Sequence, residues 1–427
     1  MQANKDKCRI GTLWCVLMLS ACTFFFSSCS SDDEETIDSS LARTIIVYAV
    51  AENSLSNAVP SDIFEMIQGA KQLTDNDCIV LYVDDINVPR IYCITNQTQA
   101  TDYNSLVAEK VYGEDFNSAD PAILSQILQY AKTRHPADSY GIVFWSHASG
   151  WETIEETASV ANGRQTHSQD LPALKFSFGI DNGKNQTTNV TDPSTGEMGI
   201  MDLAKVCEAF GKVDFMLFDC CFMQTIEVAY QLRNATKYIM GSPAEIPNRG
   251  APYDKIIPLM ASDNIDCQKI VGTYYDHYAQ TSYGSILSVI STDGLPVLAD
   301  ATRQVYDKYK NSLEDIDFTQ ANNYFNYDVC RHNRDNRYPD FYDMNSVMKL
   351  WLSNEDYTQW KQAFDKAVVC SLATNRYYSD FRGNTTIVDP ATAGCVSMFF
   401  PLQKYRDDLF INSYFRLDWS KALGIYK

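Results

Sequence analysis

The sequence predicts an α/β fold in which helices cover both faces of a mostly parallel central sheet. Apolar, β-branched runs of strand length recur along the first part of the chain of 427 residues. Amphipathic stretches of helix length separate these runs, and such alternation favours parallel strands. The runs are continuous rather than alternating, which is typical of strands buried on both faces.

The predicted elements alternate along the chain in a regular order. Strands are expected at residues 44–50, 78–83, 140–145, 215–218 and 238–240. Helices are expected at residues 61–73, 122–133, 202–210 and 222–233. Further helices at 299–310, 344–353 and 356–372 precede a late strand at 396–400. We therefore expect a main domain over 43–300 and a mainly helical extension over 301–427, with the late strand packing on the core. The polar stretch 152–197 interrupts this rhythm and is expected to be a long loop.

The first 29 residues predict a cleaved export signal rather than part of the fold. Lys5, Lys7 and Arg9 precede an apolar run from Leu13 to Phe26. This run is too short to span a bilayer comfortably. Residues 30–42, which are rich in Ser, Asp and Glu, are interpreted as a polar tether.

Two cysteines compete for lipidation at the end of this signal. Leu19-Ser20-Ala21-Cys22 fits the lipobox of bacterial lipoproteins, but a run of three phenylalanines would then follow cleavage. Cys29 ends the apolar run, and the acidic stretch after it resembles the surface-export signal of Bacteroidetes lipoproteins. We favour Cys29, and we expect an outer-membrane lipoprotein on the cell surface or the periplasmic face.

Composition and missing motifs exclude several classes of function. The formal net charge of −19 disfavours nucleic acid and anionic membrane surfaces as partners. The sequence contains neither a CxxC…CxxC nor an HExxH pattern, and it lacks the glycine-rich nucleotide motifs. We therefore predict no metal site and no cofactor. The cysteines beyond Cys29 are odd in number, so at least one thiol is unpaired.

A histidine and a cysteine follow two of the predicted strands. His147 comes directly after strand 140–145, and Cys221 after strand 215–218. Ligands of open α/β sheets bind beyond the carboxyl ends of the strands, so the two side chains are expected to face each other there. An imidazole and the N-terminus of a following helix would both activate a thiol. A buried strand-end cysteine is also typical of ordinary core packing, so these residues alone leave a structural role open.

Longer segments around these residues resemble the clostripain family of cysteine peptidases. Residues 144–151, FWSHASGW, resemble the family's W-x-H-G-S-G-W segment. Residues 217–233, LFDCCFMQTIEVAYQLR, are similar to its F-D-A-C-L-M…E-V-A-Y-E-L-R run. The late strand 396–401 resembles its C-terminal S-x-Y-F-P element. The likeness covers most of residues 44–425.

The resemblance implies a caspase-like αβα sandwich and a cysteine endopeptidase that cleaves proteins or peptides. It implies Cys221 as the nucleophile, His147 as its proton-handling partner and the backbone of Ala148 in the oxyanion hole. Asp219 is expected to line a substrate pocket for Arg or Lys, although a strand-end aspartate also caps helices. Cys220 occupies the family's Ala position and is expected to be a packed neighbour.

Two departures from the family pattern support an alternative. Ala148 replaces a family Gly, and its Cβ is expected to alter the backbone angle. Arg249 adds a positive charge near the expected pocket. The alternative is a surface lipoprotein with weakened catalysis that acts as a binding protein.

The resemblance also implies self-cleavage in the loop after His147. Arg164, Lys175 and Lys184 are the candidate sites, with Arg164 nearest the expected place. We expect a monomer that reaches the membrane only through its N-terminal lipid. A requirement for calcium is left open.

Overall fold

The computed structural model describes residues 41–152, 177–183, 196–325, 340–380, 384–408 and 410–425. Cys29 and the three candidate processing sites, Arg164, Lys175 and Lys184, lie outside these ranges. No helix within the described ranges is both long enough and apolar enough to cross a membrane.

Strands in the described residues form one large sheet and three small ones. Their bounds are β1 Leu41–Val50, β2 Asp77–Asp84, β3 Arg90–Ile94, β4 Lys110–Val111, β5 Ala137–Trp145, β6 Phe178–Asp181, β7 Gly196–Met198, β8 Val213–Asp219, β9 Thr236–Gly241, β10 Ile286–Ser291, β11 Asn323–Phe325, β12 Phe341–Asp343, β13 Val368–Ala373, β14 Arg376–Ser379, β15 Asn384–Ile387 and β16 Ser397–Met398. The large sheet has the order β13-β10-β9-β8-β5-β1-β2-β3-β4.

The centre of the large sheet is parallel. Strand β1 pairs in parallel with β2 and β5, and β8 pairs in parallel with β5 and β9. These are the five strands that the sequence predicts. Antiparallel strands extend the sheet on both sides. Strands β3 and β4 lie beyond β2, and strands β10 and β13 lie beyond β9. The predicted fold class is confirmed.

Helices cover both faces of this sheet. Their bounds are α1 Val59–Ala70, α2 Pro121–Arg134, α3 Ile200–Phe210, α4 Ile226–Gln231, α5 Tyr253–Met260, α6 Cys267–Ala279, α7 Leu295–Tyr309, α8 Met344–Trp351, α9 Asn354–Ala367, α10 Ile411–Tyr414 and α11 Asp418–Ala422. Alternate residues of β1 enter two separate apolar clusters. One cluster contains α1, α5 and α6, and the other contains α2, α3, α4, α7 and α9. Burial on both faces explains why the strand runs are continuously apolar.

Residues on either side of position 300 share this architecture. Strand β13, from the C-terminal part, pairs with β10, from the main part. The larger apolar cluster also draws residues from both parts. The C-terminal part therefore builds directly on the core of the sheet.

Three predicted elements differ from the structure. The helix expected at 356–372 ends at Ala367, and residues 368–373 form β13, because the free edge of β10 offers them hydrogen-bonding partners. The late strand is reduced to Ser397–Met398. Within the stretch expected to be a loop, β6 and β7 form a small antiparallel pair.

Candidate active site

Parallel register places His147 and Cys221 at equivalent positions beyond the sheet. Trp145, the last residue of β5, pairs with Asp219, the last residue of β8. His147 and Cys221 each follow two residues later, beyond neighbouring carboxyl ends. Ligands of such sheets bind in this crevice.

The His147 ring is half-buried and has a hydroxyl partner. Its Nε2 lies 2.7 Å from the Oγ of Ser54, in the turn after β1. The buried Asn53 fixes that turn, since its amide donates to the carbonyls of Val50 and Ile180 at 3.0 and 2.7 Å. Burial lowers the pKa of His147, so the neutral imidazole is favoured. The sequence offered no motif that would single out Asn53 or Ser54.

The loop after His147 is held against β6. The N–H of Gly179 donates to the carbonyl of His147, and the N–H of Ser149 donates to the carbonyl of Ser177, both at 3.1 Å. Ala148 forms the bridge between these bonds, opposite Phe178. In this arrangement its own N–H points away from β6, and it donates to no other residue in the described ranges.

The backbone at Ala148 does not adopt the left-handed conformation that favours glycine. Ala148 is not among the residues with a positive φ, so its backbone does not require glycine. Its side chain packs at the margin of the larger apolar cluster. The substitution of Gly by Ala is therefore accommodated without backbone strain.

The end of the His147 loop is anchored in the core. The Trp151 side chain is fully buried. Its ring lies 5.2 Å from that of Phe399, 6.1 Å from that of Phe410 and 5.3 Å from that of Tyr414, measured between centroids. A buried Trp surrounded by aromatic rings contributes several kcal/mol, roughly 3–5 if truncated to Ala. The C-terminal part of the chain thus supports the loop that carries the histidine.

Cys221 lies in a tight turn rather than at a helix terminus. Helix α4 begins only at Ile226, and the Thr225 side chain caps it by accepting from the N–H of Val228. The expectation that a helix opens directly after Cys221 and lowers its pKa is therefore wrong. Burial instead raises the pKa of the Cys221 thiol to about 12.

The Cys221 turn contains backbone strain. Phe222 has a φ of 62°, a conformation that bulky side chains adopt only when the surroundings impose it. Two hydrogen bonds impose it, from the N–H of Phe222 to the carbonyl of Ala244 and from the N–H of Gln224 to that of Ser242, both at 3.0 Å. The N–H of Ile246 lies 3.5 Å from the Cys221 sulfur. The segment after β9 therefore positions the thiol.

The late strand β16 holds the same turn from the other side. The N–H of Ser397 donates to the carbonyl of Gln224 at 3.1 Å, and Ser397 forms a parallel bridge with Thr225. The Phe399 N–H donates to the buried Glu227 carboxyl at 2.8 Å. Burial raises the pKa of Glu227 to about 8. Strand β16 therefore packs against the turn that carries the candidate nucleophile.

Cys220 is a core residue, whereas Cys221 is partly exposed. The Cys220 side chain is 1% exposed and donates to the carbonyl of Phe144 at 3.1 Å. Burial raises its pKa well above the ordinary value. A reactive thiol must be accessible, so this arrangement favours Cys221.

The two loops contact each other at Gly150 and Phe222. A Cβ placed on Gly150 would lie 2.9 Å from the carbonyl oxygen of Phe222. Within the described residues, however, His147 and Cys221 are not hydrogen-bonded to each other. The His147 ring contacts the Ser54 hydroxyl, and the Cys221 sulfur contacts the N–H of Ile246. The loops that carry the two residues are therefore in contact, although the two side chains are not paired directly.

Asp219 is buried and saturated with hydrogen bonds. It accepts from the N–H of Ala251 at 3.0 Å and from the hydroxyls of Tyr253 and Tyr274 at 2.7 and 2.9 Å. It does not cap α4, whose cap is Thr225, so the helix-cap alternative is wrong. Burial raises the pKa of Asp219, and burial together with Asp219 raises that of the neighbouring Asp62 to about 9.

A pocket adjoins Cys221, and its wall carries a different acid. The cavity has a volume of about 20 Å³, and its lining includes Glu245, Ile246, Tyr274 and Tyr278. Glu245 is largely buried and accepts from the hydroxyl of Ser379 at 2.5 Å. Asp219 lies behind this wall, in contact with Tyr274. Sequence reasoning missed Glu245, although its place shortly after the carboxyl end of β9 was a usable signal.

One group of oxygen ligands fits a hard cation. Glu52, Asp84 and Asp115 each place a carboxylate oxygen within 4.8 Å of the others. Burial and the nearby Asp181 raise the pKa of Asp84 to about 9. Clustered carboxylates are the ligands that Ca²⁺ prefers. These residues would hold calcium if the protein needs it.

Comparison with known proteins places the chain in a family. The sequence model of the clostripain family matches residues 47–170 and 184–425. The chain belongs to the clostripain family. Clostripain of Hathewaya histolytica is 25% identical over 242 residues, which is 50% of this chain but only 41% of clostripain.

Solved structures show the same fold. A secreted C11 cysteine protease from Bacteroides thetaiotaomicron, determined with an irreversible peptide inhibitor, superimposes with a TM-score of 0.71. It is 26% identical, and the match covers 90% of this chain and 98% of that one. An inactive zymogen C11 protease from Parabacteroides distasonis gives a TM-score of 0.70 at 24% identity, covering 92% and 100%. The family's caspase-like fold is therefore the fold of this chain.

Proposed function

We propose that this protein is a cysteine endopeptidase with Cys221 as nucleophile and His147 as its proton-handling partner. The observation that carries the proposal is the parallel register of β5 and β8, which sets both residues beyond adjacent strand ends. Membership of the clostripain family and the likeness to a protease solved with a peptide inhibitor support it.

The geometry suits acyl transfer to a thiol. The Cys221 sulfur attacks the peptide carbonyl, and its proton passes to His147 as the S–C bond forms. His147 then protonates the leaving amine as the C–N bond breaks, and water hydrolyses the thioester. The N–H groups of Ala148 and Cys221, which donate to no other described residue, are suited to hold the oxyanion. Ser54 orients the imidazole through its contact with Nε2.

A covalent probe tests this assignment. A lysyl or arginyl acyloxymethyl ketone should label wild-type protein on Cys221, as located by peptide mass spectrometry. Cys221→Ala should abolish both labelling and peptide cleavage, since loss of a nucleophile costs several orders of magnitude in rate. The neighbouring variant Cys220→Ala is the matched control and should keep most activity. Labelling of Cys220, or activity that survives in Cys221→Ala, would refute the assignment.

We also propose a preference for Arg or Lys before the scissile bond. The largely buried Glu245 lines the pocket beside Cys221, and the Asp219 carboxyl lies behind Tyr274. Arg249 is exposed and is not part of the pocket lining, but its charge still acts on Tyr278, a residue of that lining. We therefore assign recognition of the Arg or Lys side chain to Glu245, with Asp219 lying behind it, rather than to Asp219 alone.

Paired substrates separate recognition from structure. A charge-assisted hydrogen bond is worth about 1.5–3 kcal/mol, so Glu245→Gln should lower kcat/KM for an arginyl substrate roughly 10- to 100-fold. The same variant should leave cleavage of the matched citrulline substrate nearly unchanged. Asp219→Asn should instead lower the melting temperature, because three hydrogen bonds depend on that carboxyl. Equal losses on both substrates in Glu245→Gln would remove the recognition role.

The competing proposal is a binding protein with weakened catalysis. Its main support was Ala148, and the strain-free backbone at that position weakens it. If the probe fails to label Cys221 while isothermal titration detects binding of an arginyl peptide, the competing proposal gains the stronger case.

The remaining proposals concern export and processing. We propose lipidation at Cys29 and residence in the outer membrane, which metabolic labelling with palmitate tests by comparing Cys29→Ser with Cys22→Ser. Self-cleavage at Arg164, Lys175 or Lys184 should convert wild type, but not Cys221→Ala, into two fragments on a denaturing gel. A monomer is expected by light scattering on the soluble chain beginning near Ser30.

A further inference from the structure

A cluster of sulfur and nitrogen ligands lies at the end of the sheet opposite the candidate active site. Cys78 is the second residue of β2, Cys93 lies in β3, and His135 directly follows α2. One ligand atom from each lies within 4.8 Å of the other two. The candidate active site is beyond the carboxyl ends of the parallel strands, whereas Cys78 marks the amino end of β2. The peptidase mechanism uses none of these three residues.

Contacts around His135 orient its ring toward the cysteines. Its Nε2 lies 2.8 Å from the Glu109 carboxylate, and its Nδ1 lies 3.8 Å from the Cys93 sulfur. Its backbone carbonyl accepts from the hydroxyl of Thr44 at 3.0 Å. A histidine bound to a carboxylate on one nitrogen and turned to a ligand cluster on the other is the usual arrangement of metal-bound histidine.

We propose that Cys78, Cys93 and His135 bind Zn²⁺ or a similar thiophilic cation, with the fourth position open to water. Two thiolates and an imidazole suit such a cation and do not suit Ca²⁺ or Mg²⁺. In a tetrahedral zinc site the sulfur and nitrogen ligands are about 3.6 Å apart, from the usual bond lengths. The observed 3.8 Å between Cys93 and His135 is close to that separation.

This site revises the sequence prediction that the protein has no metal site. That prediction rested on the absence of closely spaced ligand motifs. Here the spacings are 93 − 78 = 15 and 135 − 93 = 42 residues. Sheet pairing of β2 with β3 and the end of α2 bring the three side chains together.

Strand register argues against a disulfide between the two cysteines. Cys93 is directly opposite Val80 in the antiparallel pairing, and Cys78 is two residues earlier on the same face. Such diagonal positions have Cα atoms about 7–8 Å apart. A disulfide needs about 4.4–6.8 Å. A metal ion, with a bond of its own to each sulfur, bridges the longer gap.

Zinc binding should be measured in a Cys221→Ala background, because the nucleophile and His147 also attract Zn²⁺. Reduced protein stripped with a chelator is dialysed against ZnCl₂, and bound metal is counted by mass spectrometry. We expect one Zn²⁺ per chain, and a rise in melting temperature of about 3 °C at 100 times the Kd for a chain of this size. Co²⁺ in place of Zn²⁺ should give a thiolate-to-metal charge-transfer band.

Variants of the ligands decide the outcome. Cys93→Ser and His135→Gln should each abolish stoichiometric binding and the Co²⁺ band, and Glu109→Gln should weaken binding about 10- to 100-fold. Cys370→Ser, a half-buried thiol outside the cluster, is the matched control and should bind as before. In chains that keep Cys221, Cys93→Ser should leave peptide cleavage unchanged.

Three results would overturn the proposal. They are the absence of stoichiometric Zn²⁺ binding in the reduced protein, unchanged affinity in both His135→Gln and Cys93→Ser, and a Cys78–Cys93 disulfide in peptide maps of the exported protein. If Cys93→Ser fails to fold, Glu109→Gln still decides, since the Glu109 side chain is only partly buried.

Discussion

Replacement of Gly150 by Ala tests whether contact between the two loops sets the catalytic geometry. Gly150 has a φ of 73°, and an Ala in that region costs about 1–2 kcal/mol. The added Cβ would lie 2.9 Å from the carbonyl oxygen of Phe222, where ordinary contact begins at 3.4 Å. Thr225 Cγ2 and Phe341 Cζ, at 3.2 and 3.3 Å, close off the space around it.

The expected effect follows from these distances. The His147 loop and the Cys221 turn must separate by about 3.4 − 2.9 = 0.5 Å to relieve the contact. Misplacement of reacting groups by 1 Å can cost about 100-fold in rate, so roughly a 10-fold loss of kcat/KM is expected. Overpacking of a tight site costs about 1–3 kcal/mol, in addition to the cost of placing an Ala at a positive φ. The expected total loss of stability is about 2–5 kcal/mol.

Gly424→Ala is the matched control for this variant. Its φ of 70° is nearly the same, but no atom lies within 4 Å of the Cβ position. It should therefore lose only about 1–2 kcal/mol and keep full activity. Urea unfolding and hydrolysis of a fluorogenic arginyl peptide provide the two measurements. If Gly150→Ala and Gly424→Ala lose the same stability, and Gly150→Ala keeps its kcat/KM, then the contact between the two loops does not set the catalytic geometry.

Two further predictions concern protonation. Because burial raises the Cys221 pKa to about 12, the rate of Cys221 alkylation by iodoacetamide should rise nearly tenfold per pH unit from pH 6.5 to 9. Peptide mass spectrometry follows the reaction, and a plateau in the rate near pH 7 would contradict the prediction. The pKa of Glu227 is raised to about 8, so the folded state retains a proton that the unfolded state releases. The contribution of this proton to the stability of the fold is therefore lost as pH rises from about 4.5 to 8. Glu227→Gln should flatten the fall in melting temperature across that window, with a difference of at most about 1.4 kcal/mol per pH unit. Parallel curves for variant and wild type would show that Glu227 ionises normally in the folded state.

The sequence alone determined the parallel centre of the sheet. The five apolar runs became β1, β2, β5, β8 and β9, because strands buried on both faces must be apolar along their whole length. It also indicated His147 and Cys221, since residues directly after such strands lie in the crevice where ligands bind. Cys220 and Cys221 could be told apart only by resemblance at that stage, and their difference in burial now gives a physical reason.

Only the tertiary structure decided how the site is built. In the structure, the helix after Cys221 begins only at Ile226, and Glu245 rather than Asp219 lies on the pocket wall. The Ser54 hydroxyl contacts the His147 ring. These features depend on contacts between segments that are far apart in the chain, and no local period or motif records them. Local patterns specify an element and its ends because they act over a few residues. A side chain's partner, burial and pKa are set by whatever the fold places against it.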